Sequence, residues 1–582
     1  MKGFKRFLVY LGIFVAIIIA AVLMCIAVMY FSPGTSILGY QYILYNKYNE
    51  ETISIASGSG YEDVQAFEIK TGVTDVYIYP NLISNEIEIK HNQGLSGFVK
   101  TYSAGLNLTK SYSVKTFEDV NGQVKTFTIE IEEPSGWVSD NDAYVSVYLP
   151  SLKNFDVLFV STNGGTIDFF EEKEYNVEGV DEPVKTTLSF ENYFLKTENY
   201  ADIVMHENFG LNSSYYFTTD KGDVVFDVEK HEGYALDKNN QPVTMVYKYL
   251  TVDTMKFTTN SGGFTFTTID GLGSFSANNF IVRSYGDNIG PYIKINNLNV
   301  ENFDVRADFG SFYIDNINAI ANSDEVPLVI MTLKNTTVNF GEVNGKVSIL
   351  SEGNNVKNNI YINKLSNNDG INAFESGAGN IKINNLEGDA SLDATSGNIT
   401  VSSATVSSNI YAYTSSGSIN IKYIFNRANN STTKLTVITH TGNINLTNIS
   451  CLLEVQVLSN SASSKLDLTF SAVVYQEGGN DNIINAKNRD VNILLKGRSD
   501  YLQFRILSLE DVVIKNTPGK EIERVDEDYL LTYSKYSDYT KMYRVGYSKN
   551  ETTYNEHDFD EWGKLLISTA GLTNVNANLI DG

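Results

Sequence analysis

Cysteine, histidine, tryptophan and proline are scarce in this chain, and each scarcity excludes something. There are 2 cysteines in 582 residues. One of them, Cys25, lies in an apolar N-terminal run, so no disulfide framework spans the rest. The 5 histidines, His91, His206, His231, His440 and His557, are too far apart for a His-Glu-x-x-His or His-x-His metal motif. There is no Gly-x-Ser-x-Gly elbow, no Walker loop and no complete Gly-x-Gly-x-x-Gly. Charged residues make up only 19%. Asn, Ser, Thr, Tyr and Gly fill their place, a composition that suits strands and tight turns over long helices. The net charge is −25, and −28 once Lys2, Lys5 and Arg6 are set aside. Such a surface repels nucleic acid and anionic headgroups and favours solubility.

Against this background stands one long apolar run, residues 7–31, with no charged residue. A helix of that length crosses a hydrocarbon core of about 30 Å. Tyr10, Tyr30 and Phe31 lie near its ends, where aromatic rings favour the interface. Lys2, Lys5 and Arg6 precede it and predict a cytoplasmic N-terminus (residues 1–6), with the bulk of the chain outside the cell. The rival readings are a cleaved signal peptide and a lipoprotein signal at Cys25. The bulky Val28-Met29-Tyr30-Phe31 end opposes the first, and Met24 before the cysteine opposes the second. Residues 32–66 read as a juxtamembrane spacer that ends in Ser57-Gly58-Ser59-Gly60.

From residue 67 to about 500 apolar and polar residues alternate, and an octet recurs. It reads Gly, variable, apolar, any, apolar, any, any, apolar. Full copies begin at Gly262, Gly310, Gly379, Gly397, Gly417 and Gly442, and shorter ones at Gly165, Gly222 and Gly345. The last four full copies are spaced 18, 20 and 25 residues apart. The glycine is expected to supply a positive-φ turn, the alternating pair to point inward, and the polar pair to turn a corner by bonding nearby backbone. One octet cannot bury its own face, so copies must stack. The spacing predicts an all-β fold, a parallel β-solenoid, in preference to a propeller or a series of antiparallel sandwiches.

Residues 501–582 break the pattern. Tyr529, Tyr533, Tyr536, Tyr539, Tyr543 and Tyr547 recur at helical spacing, although the Ser, Thr and Asp between them make a poor helix. This segment reads as a tyrosine-rich cap or tail, and Leu565-Leu566-Ile567-Ser568 as a strand.

The block Tyr144-Val-Ser-Val-Tyr-Leu-Pro150, then Asp156-Val-Leu-Phe159, then Ser161-Thr-Asn-Gly-Gly-Thr-Ile167 resembles a recurrent unit of bacterial surface proteins. These are the DUF4097-type adhesins, related to auto-transporter adhesin heads. Thr395-Ser-Gly-Asn-Ile399 and Ser415-Ser-Gly-Ser-Ile419 repeat its turn. The resemblance covers about residues 75–448. It implies a right-handed β-solenoid at the cell envelope and brings no catalytic residues with it. The insertion at residues 171–184 and the tyrosine-rich tail depart from the pattern.

No residue stands out as catalytic, cofactor-binding or metal-binding, and no cofactor is expected. Asp140-Asn141-Asp142 and Asp558-Phe559-Asp560-Glu561 offer oxygen ligands for Ca²⁺ but lack the spacing of a known loop. The expected function is therefore non-enzymatic: a membrane-anchored surface adhesin or envelope scaffold that binds wall, glycan, matrix or protein. Two alternatives are an envelope-stress sensor acting with a membrane partner and an extracellular polysaccharide-cleaving β-helix. Nucleic acid is not an expected partner.

Overall fold

A computed structural model describes residues 2–496, apart from short internal stretches of which 472–481 is the longest. Beyond 496 it describes six strands between Phe504 and Ile580. The chain is mostly β-strand and carries one helix, Lys2–Phe31. It divides into two compact units, residues 1–265 and 266–582.

In the first unit two parallel ladders run side by side. One contains Val124–Glu132, Ala66–Thr71, Phe155–Thr162, Phe190–Thr197, Ser214–Thr219 and Pro242–Thr259. The other contains Tyr144–Pro150, Asp75–Asn81, Ile167–Phe170, Ile203–His206 and Val224–Asp227. From Phe155 onward the chain alternates between them. Every strand of one ladder leads through a tight corner to a strand of the other. Antiparallel strands flank the early members. Asn107–Lys115 pairs with Val124–Glu132, Glu86–Asn92 pairs with Tyr144–Pro150, and Tyr48–Ser54 pairs with Glu86–Asn92. The stretch expected to be a spacer is thus partly folded. It also supplies the hairpin Ser36–Ile37/Tyr40–Tyr45, which joins Leu95–Lys100 and Gly136–Asp140 in a four-stranded antiparallel sheet.

The second unit repeats the two-ladder plan at the octets. Ile293, Phe312, Val338, Ile360, Ile381, Ile399, Ile419, Ile444, Leu466 and Val491 stand in register on successive strands. Two residues on, Ile295, Ile314, Phe340, Ile362, Ile383, Val401, Ile421, Leu446, Leu468 and Ile493 form a parallel column. All are buried. These are the two apolar octet positions, and each side chain contributes roughly 1.5–3 kcal/mol by leaving water.

The glycine does not do what the sequence suggests. Of the octet glycines only Gly310 and Gly345 have positive φ, 141° and 152°. At the others the requirement is close approach. A Cβ on Gly397 would overlap the carbonyl of Gly379, one on Gly417 that of Gly397, and one on Gly442 that of Gly417. In the first unit Gly262 meets the carbonyl of Gly222, and Gly222 that of Ala201, in the same way. The glycine column is where two backbones touch with no side chain between them.

A threonine stands three residues before many of these glycines. Gly262, Gly417 and Gly442 donate their N–H groups to the hydroxyls of Thr259, Thr414 and Thr439 at 2.7, 3.0 and 2.9 Å. Thr71, Thr162, Thr197, Thr219 and Thr259 occupy one register column and are buried. The corner is therefore Thr-x-x-Gly, before the octet. The polar pair within the octet bends the chain at Tyr423 and Asn448, φ 51° and 56°, but the strands run on through it.

The residue after the glycine position, which Asn358, Thr74 and Ala201 occupy in some repeats, is not free either. Asn359, Asn380, Asn398 and Asn443 accept from the backbone N–H of Asn380, Asn398, Ser418 and Lys465, one repeat on, at 3.2, 3.0, 2.8 and 2.9 Å. Asp75, Asp202 and Asp223 do the same for Thr166, Asp223 and Gly263 at 2.7, 2.7 and 2.6 Å. The expected bonds to nearby backbone are thus bonds between repeats. At the C-terminal end, Tyr543 and Tyr547 lie on the strand Lys541–Tyr547 and not on a helix. Tyr529, Tyr533, Tyr536 and Tyr539 lie outside the described residues. Leu565 to Ser568 fall within the strand Gly563–Ser568, as expected.

Gly417→Ala is expected to lower stability by about 2 kcal/mol, as an overpacked site with only backbone to move. Thr414→Val, which strips the acceptor from the Gly417 N–H, is expected to cost about 1–2 kcal/mol. Ser416→Ala, at the exposed part of the same corner, should change little. Urea midpoints of the three variants check this order.

Candidate functional site

Inward positions of the ladders are filled by the core, so any interaction must use outward positions. Register places these in rows. In the first unit one row runs Glu88, Tyr148, Tyr79, Phe170, His206, Asp227 across adjacent strands. Its rings stack on one another: Tyr148 on Tyr79 at 5.1 Å, Tyr79 on Phe170 at 4.6 Å, and Phe170 on His206 at 4.0 Å. The insertion at residues 171–184 folds back over this row as the hairpin Glu172–Tyr175/Val184–Thr187. Its Lys173 Nζ sits 4.1, 4.6 and 5.3 Å from the ring centres of Tyr79, Tyr148 and Tyr175. The Tyr175 hydroxyl donates to the Pro80 carbonyl at 2.6 Å. An isolated two-stranded hairpin is marginal in water, so these contacts hold it down.

The electrostatics follow from this cover. Burial pushes the Tyr79 phenol up to about 12, helped by Tyr148, Tyr77 and Asp168. Burial also raises Tyr148 and Tyr175. The Lys173 ammonium is held below its ordinary value by burial and then by Lys90.

A second outward aromatic row, Phe159, Phe194 and Tyr216, is covered in the same manner. Phe117 from the 116–123 loop lies 6.0 Å from Phe159 and 6.1 Å from Phe194. Asp119 of that loop pairs with Lys256 at 2.8 Å. Both of these outward aromatic rows thus lie under an insertion, whereas single rings on other strands of this unit, such as Tyr48, Tyr112 and Tyr249, stay exposed.

The second unit differs. Its outward row beside the octet core runs Lys294, Tyr313, Asn339, Tyr361, Lys382, Thr400, Asn420, Asn445. All are exposed or half-buried. The neighbouring rows carry asparagine ladders. Asn316 donates to Asn297 at 2.8 Å, Asn318 to Asn299 at 3.3 Å and Asn344 to Asn318 at 2.8 Å. Amides, hydroxyls, ammonium groups and two tyrosine rings are thus presented on rigid strands. Neighbouring repeats stand about 4.8 Å apart.

The histidines and acidic clusters noted in the sequence do not converge. His206 meets Asp168 at 2.9 Å, Asp227 at 3.5 Å and the Phe170 ring, with no nucleophile against it among the described residues. His440 lies in the corner before Gly442, with its ring 6.4 Å from Tyr413. His91 and His231 lie on separate strands. His557, Asn141, Asp142 and residues 558–561 lie outside the described residues, whereas Asp140 ends the strand Gly136–Asp140. Among the described residues no three His, Cys, Asp or Glu side chains form a metal-sized group. Cys451 is buried, and burial pushes its thiol up to about 12.

Sequence reasoning missed Arg489. It stands two residues before the core Val491, at the glycine position of an octet. Its side chain is fully buried and donates to the carbonyls of Gly442 and His440, both at 2.7 Å. Burial pushes its guanidinium down from the ordinary value. The register of Val491 with Leu466 was the signal available, but a buried arginine in a glycine column is not read from an apolar pattern.

No protein-family model matches the chain, and no curated protein matches it. A solved structure from Clostridium sporogenes, named a "putative cell adhesion protein", is similar over 41% of this chain and all of its own length. The identity is 12% and the TM-score 0.23. A likeness that slight carries no argument about this chain, and the resemblance to DUF4097-type adhesins stays one of motif.

The raised Tyr79 phenol makes a pH prediction. Its neutral form is favoured by the fold, so its contribution is complete below pH 10 and is lost as pH rises toward 12. Tyr79→Phe should match the parent at pH 8 and unfold at a higher pH in an alkaline titration followed by circular dichroism. Lys173→Met should speed cleavage after Glu174, on the hairpin strand, by a glutamate-specific protease several-fold, while leaving the parallel ladders intact.

Proposed function

We propose that this protein is a membrane-anchored, non-enzymatic surface adhesin or envelope scaffold, built as a right-handed parallel β-solenoid and displayed outside the cell. Its ligand is a repetitive polar polymer, a wall or matrix glycan, held along the uncovered rows of residues 292–449. The observation that carries this reading is the contrast between rows. The Tyr148–Tyr79–Phe170 and Phe159–Phe194–Tyr216 rows lie under the chain's own insertions, whereas among the described residues no insertion lies over the Lys294–Tyr313–Asn339–Tyr361–Lys382 row. Repeated, register-locked side chains suit a ligand that itself repeats, and tyrosine with amide and hydroxyl groups is a common binding composition.

Three features support the rest of the proposal. Each described ladder strand in the octet region pairs parallel with its counterpart one repeat on, which is how a solenoid stacks. Parallel crossovers are right-handed almost without exception. Among the described residues one helix is long and apolar enough to cross a membrane, Val9–Phe31, with mean hydropathy 3.2. Lys2, Lys5 and Arg6 before it favour a cytoplasmic N-terminus.

The test is co-sedimentation of the full chain with insoluble wall and matrix polysaccharides. The parent should sediment with at least one of them. The double variant Tyr313→Ala/Tyr361→Ala should bind about 10-fold more weakly. Equal retention of both proteins on every polymer would remove the row from the proposal, and absence of binding by the parent would remove glycan as the ligand.

A further inference from the structure

We infer that the hairpin next to the helix is a membrane-resting element. Its tip, Leu38-Gly39, together with Tyr30, Phe31 and Tyr40, lies in the boundary between headgroups and acyl chains of the bilayer that the helix crosses. This rests on the anchor reading above and adds a second point of contact to it.

The sequence gives the first reason. No Asp, Glu, Lys, Arg or His occurs between Arg6 and Lys47, so the uncharged stretch continues well past Phe31. Within a chain this rich in carboxylates, that gap covers the helix from Phe7 onward and the whole first hairpin. Tyr40, Tyr42, Tyr45 and Tyr48 follow in short order. Tyrosine is the residue type that favours the membrane–water boundary.

Chain length gives the second. The helix closes with the Ser32 N–H bonded to the Val28 carbonyl. Leu38 lies seven residue steps after Phe31. At no more than about 3.6 Å per residue, the tip stays within about 25 Å of the helix end in any conformation. The folded arrangement is tighter than that limit. The Tyr30 ring lies 5.0 Å from the Tyr42 ring, which brings the hairpin against the last turn of the helix.

The third reason is Leu38 itself. Ser36 pairs with Gln41 and Ile37 with Tyr40, so Leu38 and Gly39 are the two turn residues. Both have positive φ, 53° and 80°. That turn favours Asn-Gly or Gly-Gly, because a branched apolar side chain is strained in the left-handed region. Nothing in the protein offsets this cost, since Leu38 is 92% exposed. Transfer of a leucine side chain out of water is favourable enough to offset such strain. Phe31 at 81% and Tyr30 at 53% exposure present further apolar surface beside it. An apolar residue held at a tip in an unfavourable conformation, next to a bilayer-crossing helix, is explained by lipid at the tip.

The experiment uses the full chain reconstituted in liposomes. Cys25→Ala removes the thiol in the helix, and buried Cys451, with its thiol pushed up to about 12, does not react with label under mild conditions. An environment-sensitive fluorophore is attached at Leu38→Cys and, as a water control, at Ser57→Cys, which is exposed in a turn. With label at position 38, emission should shift to the blue and most of it should be lost to lipids carrying a quencher near the headgroup. Lipids quenched near the chain ends should have less effect, and position 57 should respond to neither. If labelled 38 behaves like 57 while the protein floats with the liposomes and resists carbonate extraction, the hairpin does not touch the membrane and the inference fails with the anchor intact. If the protein does not float with the liposomes, the anchor reading fails and the inference falls with it.

Discussion

The structure depends on one contact that needs glycine on one side: the backbone of a glycine set against the carbonyl of the residue at the same position one repeat earlier. Gly379, Gly397, Gly417 and Gly442 form such a column. The contact fixes where two successive strands turn from one ladder to the other. Once that point is fixed, side-chain period 2 decides everything else, because a slip of one residue would put every core aliphatic into water. The threonine three residues earlier holds the glycine N–H, and the side chain after the glycine holds the next repeat's N–H. A corner of four or five residues thus satisfies its own polar groups and sets register for the repeats on either side.

The column ends by a recognisable substitution. In register with Thr414 and Thr439 stands Val457, and no glycine follows it at the usual distance. The Gly442 carbonyl is taken by the guanidinium of Arg489. A buried arginine is costly unless its donors are used. Here two of them meet two corner carbonyls, those of Gly442 and His440. The same residue position serves as a contact point in one repeat and as the root of a long capping side chain in another.

Much of this was legible in the sequence, and the limits were physical. The octets mark strand starts correctly because alternation with glycine punctuation reports burial directly, as at Ile381, Ile383 and Leu386. The role of the glycine was misread, because a missing side chain looks the same whether φ or close approach demands it. The threonine was overlooked because it lies outside the apolar pattern. Aromatic rows such as Tyr148–Tyr79–Phe170 were invisible, since their members lie far apart in sequence and meet only through register. The insertion at residues 171–184 looked like a departure from the repeat. It is instead what makes an outward row of rings compatible with water.

Covered and uncovered rows follow from a single constraint. Stacked parallel strands leave two kinds of exposed surface, outward rows and the unpaired edges of the first and last strands. Both attract other chains if apolar or bare. The first unit treats its rows with insertions and its early strands with antiparallel neighbours, Asn107–Lys115 and Glu86–Asn92. At the C-terminal strands of the second unit Lys541–Tyr547 and Glu521–Val525 again pair antiparallel. The uncovered row beside the octet core is polar, apart from tyrosine, and exposed aliphatics such as Val225, Leu350 and Ile371 stand singly. On this reasoning an exposed apolar residue outside these devices requires its own explanation. Leu38 is such a residue, and it sits in the segment that carries no charge, a few residues from the helix. The same rule that hides Phe170 under a hairpin is why we infer lipid as the cover of Leu38, because a bilayer is a cover the chain does not have to build.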